Sequence, residues 1–135
     1  MAVQYSAAVR NAQANALEST IGASAIMRIR SGAPPANCAA ADTGTVLATI
    51  NLPADWMTAA VAGLVQKNGT WQDTSADAAG TAGHYRIYDS GGTICGMQGT
   101  ITATGGGGDM TVDNVNVAAG QSFTVNTFDV QRGNG

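Results

Sequence analysis

Hydrophobic residues follow two different periods along this chain. Between residues 3 and 20, Tyr5, Val9, Ala12 and Ala16 recur at helical spacing with Leu17 beside them, and Gly22 stands where such a helix would end. The stripe is narrow and made of small side chains, so it fits either an arm or brace laid closely on another surface or an ordinary packed helix. From Ile26 the period becomes two. Met27 and Ile29 alternate with Arg28 and Arg30, and Val46, Ala48, Ile50 and Leu52 alternate with Thr45, Thr49 and Asn51, as half-buried strands do. Residues 32–44 lie between them and contain Pro34 and Pro35, whose missing backbone donors predict a loop.

Past Pro53, residues 54–63 carry Trp56 and Met57 and read as a short helical turn, after which Leu64 and Val65 open a strand. Asn68-Gly69 predicts a hairpin turn, with Trp71 just beyond it and a small-residue loop over 73–83. Tyr85 and Ile87 then share one face while His84, Arg86 and Tyr88 share the other, and Gly91-Gly92 predicts a second hairpin. Cys95, Met97, Ile101 and Ala103 fall on one face of a longer strand, opposite Gln98, Thr100 and Thr102. Residues 105–108 interrupt the pattern and Met110 and Val112 resume it. Phe123 and Val125 alternate, but Phe128 and Val130 have the opposite parity, which implies a bulge near Asn126 or burial on both sides. Short strands separated by turn signals predict a mainly β fold, an antiparallel β-sandwich or jelly-roll-like domain with an N-terminal α-helix. The natural division is a helical arm over 1–22 and a β-sandwich domain over 23–135.

Composition sharpens this picture. The length of 135 residues suits one domain, but alanine supplies much of the 44% hydrophobic content and aromatics only 5%, so the core is thin. A thin core with 18 glycines favours burial against further copies of the chain. Charged residues make up 11% and the net charge is -3; the six Lys and Arg are scattered, which argues against a nucleic-acid partner. A surface poor in charge and rich in Thr, Ser, Asn and Gly suits contact with another protein, because little desolvation cost is incurred. The opening MAVQYSAAVR lacks the basic and then apolar regions of a signal peptide, so synthesis in a cytoplasm is expected. No stretch reaches the roughly 18 apolar residues of a membrane helix, so no membrane partner is expected.

Candidate chemistry is sparse. Any catalytic dyad or zinc site would have to be built on the single histidine, His84, and two distant cysteines give it no ligand spacing, so no metal is expected. Asp73 and Asp77, and Asp109 and Asp113, form pairs, but a glycoside hydrolase normally adds aromatic platforms, and Trp56 and Trp71 read as core or interface anchors. The Asp73–Asp77 segment also lacks the spaced oxygen ligands of a calcium loop. The glycine run has no following Lys and Ser/Thr, so it is no phosphate cradle; Gly106 and Gly107 are instead candidates for a contact loop. No cofactor is implied. Cys38 and Cys95 leave a disulfide open, either within one chain, where it would constrain the unfolded state by about 4 kcal/mol, or between subunits.

Several segments carry a resemblance. They are 27–38 (Met-Arg-Ile-Arg-Ser-Gly-Ala-Pro-Pro-Ala-Asn-Cys), Leu52-Pro-Ala-Asp-Trp-Met57, Gly69-Thr-Trp-Gln-Asp73, 79–88 and 97–110. Together they resemble small virion structural proteins of tailed bacteriophages, a group whose members have no defined activity. The resemblance implies a non-enzymatic virion subunit made in the bacterial cytoplasm. It implies as partners the chain itself and a major capsid, neck or tail protein. A capsid decoration or cement role fits a β domain with a gripping helix, with Tyr5, Val9, Ala12, Ala16, Trp56, Trp71, Gly106 and Gly107 as interface candidates. A collar, neck or tail-surface subunit is the alternative, as is a carbohydrate-binding β-sandwich for host attachment with Trp71, Tyr85 and Tyr88 as stacking surfaces. An enzyme would need His84 with a neighbouring Asp.

Overall fold

The computed structural model describes residues 3–133, so positions 1–2 and 134–135 of the two sequence ranges lie outside the described residues. The helix starts later than its apolar pattern implies because Ser6 caps it, accepting a hydrogen bond from the Val9 amide at 3.2 Å. Helix α1 spans Ala7–Ile21 and ends at Gly22, whose φ of 104° favours glycine and whose amide bonds the Glu18 carbonyl.

Among the described residues ten strands follow: β1 (Ile26–Ser31), β2 (Val46–Asn51), β3 (Leu64–Gln66), β4 (Trp71–Asp73), β5 (Gly80–Tyr88), β6 (Cys95–Ala103), β7 (Met110–Val112), β8 (Asn116–Val117), β9 (Phe123–Val125) and β10 (Asp129–Gln131). The principal sheet runs β2-β1-β5-β6-β7, with β8 against the start of β5, and two small pairs, β10-β3 and β4-β9, complete the sandwich-like core. The chain is mainly β with one N-terminal helix, as the change of period predicts.

Three local features differ from the pattern-based expectations. Residues 54–63 are not a helical turn; they are irregular, with a bend at 54–55, a turn at 62–63, and isolated bridges from Met57 to Lys67 and Val61 to Leu64. The amides of Met57, Ala60 and Gly63 are taken by Glu18, Asn15 and Asn11 of α1, which leaves no internal ladder for a helix there. Asn68-Gly69 makes a turn, with Gly69 at φ 76°, but no hairpin, because β3 pairs with β10 and β4 with β9. This crossing also explains the parity change at Asn126: β9 ends at Val125 beside one partner and β10 begins at Asp129 beside the other. Finally, β7 runs parallel to β6, although parallel neighbours normally need a crossover of about a dozen residues. The short return is possible because Gly105 and Gly107 adopt φ of 89° and 81°, while Gly106 and Gly108 lie against Thr102 so closely that a Cβ would fall 2.7 and 2.9 Å from it.

Four rings tie the small pairs to the principal sheet. Trp56 and Trp71 have centroids 6.1 Å apart, Trp71 and Phe128 5.6 Å, and Phe128 meets Tyr85 of β5 edge-on at 5.5 Å. Both indole N–H groups are satisfied, Trp56 donating to the Gly22 carbonyl at 2.9 Å and Trp71 to that of Asn68 at 3.1 Å. Trp71 is fully buried. Replacing it by Ala should therefore cost about 3–5 kcal/mol in urea unfolding. A loss below about 1 kcal/mol, the scale of an ordinary substitution, would exclude this ring chain as the link between the sheets.

Candidate functional site

Alternation along β5 predicts one buried face, yet both are buried. Tyr85 and Ile87 enter the core, while His84, Arg86 and Tyr88 are covered by the loop between β1 and β2. Arg86 holds that loop. Its Nε donates to Gln98 Oε1 at 3.1 Å, its Nη1 donates to Asp42 Oδ1, and its Nη2 reaches the carbonyls of Asn37, Cys38 and Ala40 at 3.2, 2.9 and 3.2 Å. Gln98, opposite Arg86 on β6, donates to the Pro35 carbonyl at 2.7 Å, and Asn37 Oδ1 accepts the amides of Ala39 and Ala40. Asp42 also pairs with Arg30 at 3.1 Å and accepts from the Tyr88 hydroxyl, so one carboxylate joins two strands and the loop.

This cluster sets its own electrostatics. Burial raises the Asp42 pKa, but the Tyr88 hydroxyl, the Arg86 hydrogen bond and the charges of Arg30 and Arg86 outweigh it, leaving it below its ordinary 3.8. His84 is fully buried; its Nδ1 donates to the Gly32 carbonyl at 2.8 Å. Burial, with Arg30 and Arg86 adding to it, pushes the imidazole below its ordinary 6.5 and keeps it neutral at pH 7.

The helix forms a second region. Its two charged residues both turn inward: Arg10 donates to the carbonyls of Arg132 at 3.0 Å and Ala62 at 2.7 Å, and Glu18 accepts the Met57 amide. Burial, with Asp55 adding to it, raises the Glu18 carboxyl above its ordinary 4.5 against the pull of the Met57 amide. Ala14 is buried, with Leu17 and Ile21 packed on the core. The opposite side, carrying Val9, Ala12 and Ala16, is exposed and uncharged, and Tyr5 and Val3 extend it beyond the helix start. Beside it Leu17 and Ile21 face Ile94 and Gly96 across an open groove of about 590 Å³, with Ile94 68% exposed on the rim.

The predicted site residues thus separate into groups. Val9, Ala12 and Ala16 share the outer helix face and Tyr5 is exposed just before the helix begins, while Gly106 and Gly107 are exposed in the β6–β7 return. Trp56 and Trp71 are buried in the core, so the anchoring they provide is internal and no ring face is open to a partner. Tyr85 and Tyr88 are buried as well, which removes the aromatic faces a glycan would stack on. Cys38 and Cys95 are free thiols brought together on the clasped face. Among the described residues, no group of three or more His, Cys, Asp or Glu side chains could hold a metal ion, and no helix is long and apolar enough to cross a membrane. The Arg30–Asp42–Arg86 cluster has no sequence motif; the available signal is an arginine at mid-strand facing a loop that contains an aspartate. Compared with family models, curated proteins and solved structures, the chain has no match.

The cluster predicts how stability depends on pH. His84 has a lowered pKa, so the unfolded chain takes up its proton first, and the stability this supplies is whole above about 6.5 and falls as pH drops through 6.5. Glu18, raised from 4.5, acts in the opposite direction at lower pH, its contribution being lost as pH rises through its folded value. The urea midpoint should therefore fall between pH 7.5 and 5.5, and His84→Asn, which keeps a donor for the Gly32 carbonyl, should flatten that fall. Equal slopes in the two proteins would show that His84 is not the group responsible. Asp42→Ala, which strands the buried Arg86, should cost about 3 kcal/mol at pH 7.

Proposed function

We propose that this chain is a non-enzymatic structural subunit of a bacteriophage virion, a decoration or cement protein that joins further copies of itself and an assembled capsid. The observation that carries the reading is the outer face of α1. The helix commits Arg10 and Glu18 to its own domain and leaves Val9, Ala12 and Ala16 outward. Small side chains allow another backbone to approach closely, and an uncharged face loses little solvation when covered. The thin, glycine-rich chain gains stability from such covering. The assignment to a virion rests on the resemblance of its sequence segments to small phage structural proteins.

Sedimentation of the purified chain tests self-association, and Ala12→Glu with Ala16→Glu should weaken it at least tenfold, about 1.4 kcal/mol, while the far-ultraviolet spectrum stays β-rich. A wild-type chain that is monomeric throughout the micromolar range removes this face as a self-association surface. Mass spectrometry of purified particles tests the virion assignment, and absence of the chain from them ends it. In a deletion phage, heads should assemble but lose DNA more readily on heating or chelation. Heads of unchanged heat resistance that fail to attach to cells would replace reinforcement with receptor binding.

A further inference from the structure

The thiol pair under the clasp is used by neither the fold nor the proposed association face. We propose that Cys38 and Cys95 form a redox site that closes into an intrachain disulfide under a low-molecular-weight disulfide such as oxidised glutathione, locking the β1–β2 loop onto β6.

Two features of the backbone bring the sulfurs together. Alternation from Met97 would turn Cys95 into the core, but Ile87 opposes Met97 while Tyr88 opposes Cys95, so Gly96 is an extra residue in β6. That bulge rotates Cys95 onto the face of Tyr88, the face the loop covers, since directly opposed residues share a side. On the loop, Cys38 is held from before and after. Pro35 is bound by Gln98, the carbonyls of Asn37, Cys38 and Ala40 by Arg86, and Asp42 by Arg30, Arg86 and Tyr88. The Cys95 thiol donates to the Met97 carbonyl at 3.4 Å with Cys38 beside it, and both cysteines are half-buried, Cys95 bordering the open groove next to α1.

The chemistry follows from the surroundings. Burial, and after it the adjacent Cys38, pushes the Cys95 thiol up to about 11, so it is protonated at neutral pH and takes the second step rather than the first. The Cys38 thiolate attacks one sulfur of the oxidised reagent, forming a mixed disulfide and releasing the first reduced thiol. Cys95 then gives up its proton and attacks the Cys38 sulfur; the Cys38–Cys95 bond forms and the second reduced thiol leaves. Two protein thiols are oxidised and one external disulfide is reduced to two thiols, so electrons and protons balance.

Incubating the full chain in graded glutathione redox buffers, followed by intact mass and alkylation, tests the site. The expected product is a monomer about 2 Da lighter with no alkylatable thiol. Its melting temperature should rise by roughly 5–15 °C and return to the starting value with reductant. Cys38→Ser should abolish both changes, and Cys95→Ser should trap glutathione on Cys38 as a stable mixed disulfide. Should either variant fail to fold, the wild-type chain compared reduced and oxidised decides alone. Covalent dimers as the main product, thiols that stay alkylatable in the most oxidising buffer, or a lighter monomer with unchanged melting temperature would each overturn the proposal.

Discussion

The guanidinium of Arg86 is the constraint around which the principal sheet is organised. It sits 2% exposed in the middle of a strand buried on both faces, where an unpaired charge would be prohibitively costly. The structure meets that demand with the side chains of Gln98 and Asp42 and three backbone carbonyls, whose geometry matches the rigid fork of arginine and would not suit lysine. Because the carbonyls belong to residues 37–40, satisfying Arg86 also orders a segment with no secondary structure of its own. Because Asp42 is shared with Arg30 and Tyr88, the same ion pair joins β1 to β5 beneath the loop.

A second constraint comes from the scarcity of large side chains. The strand pairs β3-β10 and β4-β9 are too short to be stable alone, and their attachment runs through Trp56, Trp71, Phe128 and Tyr85. The helix covers the other end of this ring chain, with the Trp56 indole bonded to Gly22 and the 57–63 backbone held by Asn11, Asn15 and Glu18. Docking by polar side chains onto backbone amides replaces the broad apolar stripe a packed helix usually presents.

That substitution explains why some of the fold was legible in the sequence and some was not. The period of two located β1, β2, β5 and β6, and Gly22 marked the helix end, because these depend on local spacing and on φ. The inner face of α1 escaped because Arg10, Asn11, Asn15 and Glu18 look like solvent-facing residues, whereas Val9 and Ala12, which look like core, face out. The second buried face of β5 escaped for the same reason: His84 and Arg86 read as the wet side of an alternating strand until a loop distant in sequence supplies their partners. The partners of Asn68-Gly69 and the parallel return at the glycine run depend on strands far along the chain, which local turn chemistry does not encode.

The two regions meet at Gly96. A Cβ there would lie 2.4 Å from Ile21 Cγ1, so the last turn of α1 rests on the backbone of the same bulge that turns Cys95 toward Cys38. Any movement of the start of β6 must therefore shift Ile21 and the groove wall formed with Leu17 and Ile94. Packed interiors transmit such shifts because they have little free volume to absorb them. A covalent tie at Cys95 would hold this wall in one position, and a copy docked along α1 would in turn restrain the backbone that carries the thiol. By linkage any such coupling is reciprocal, so whatever factor association imposes on the redox equilibrium of the thiol pair, oxidation must impose on association.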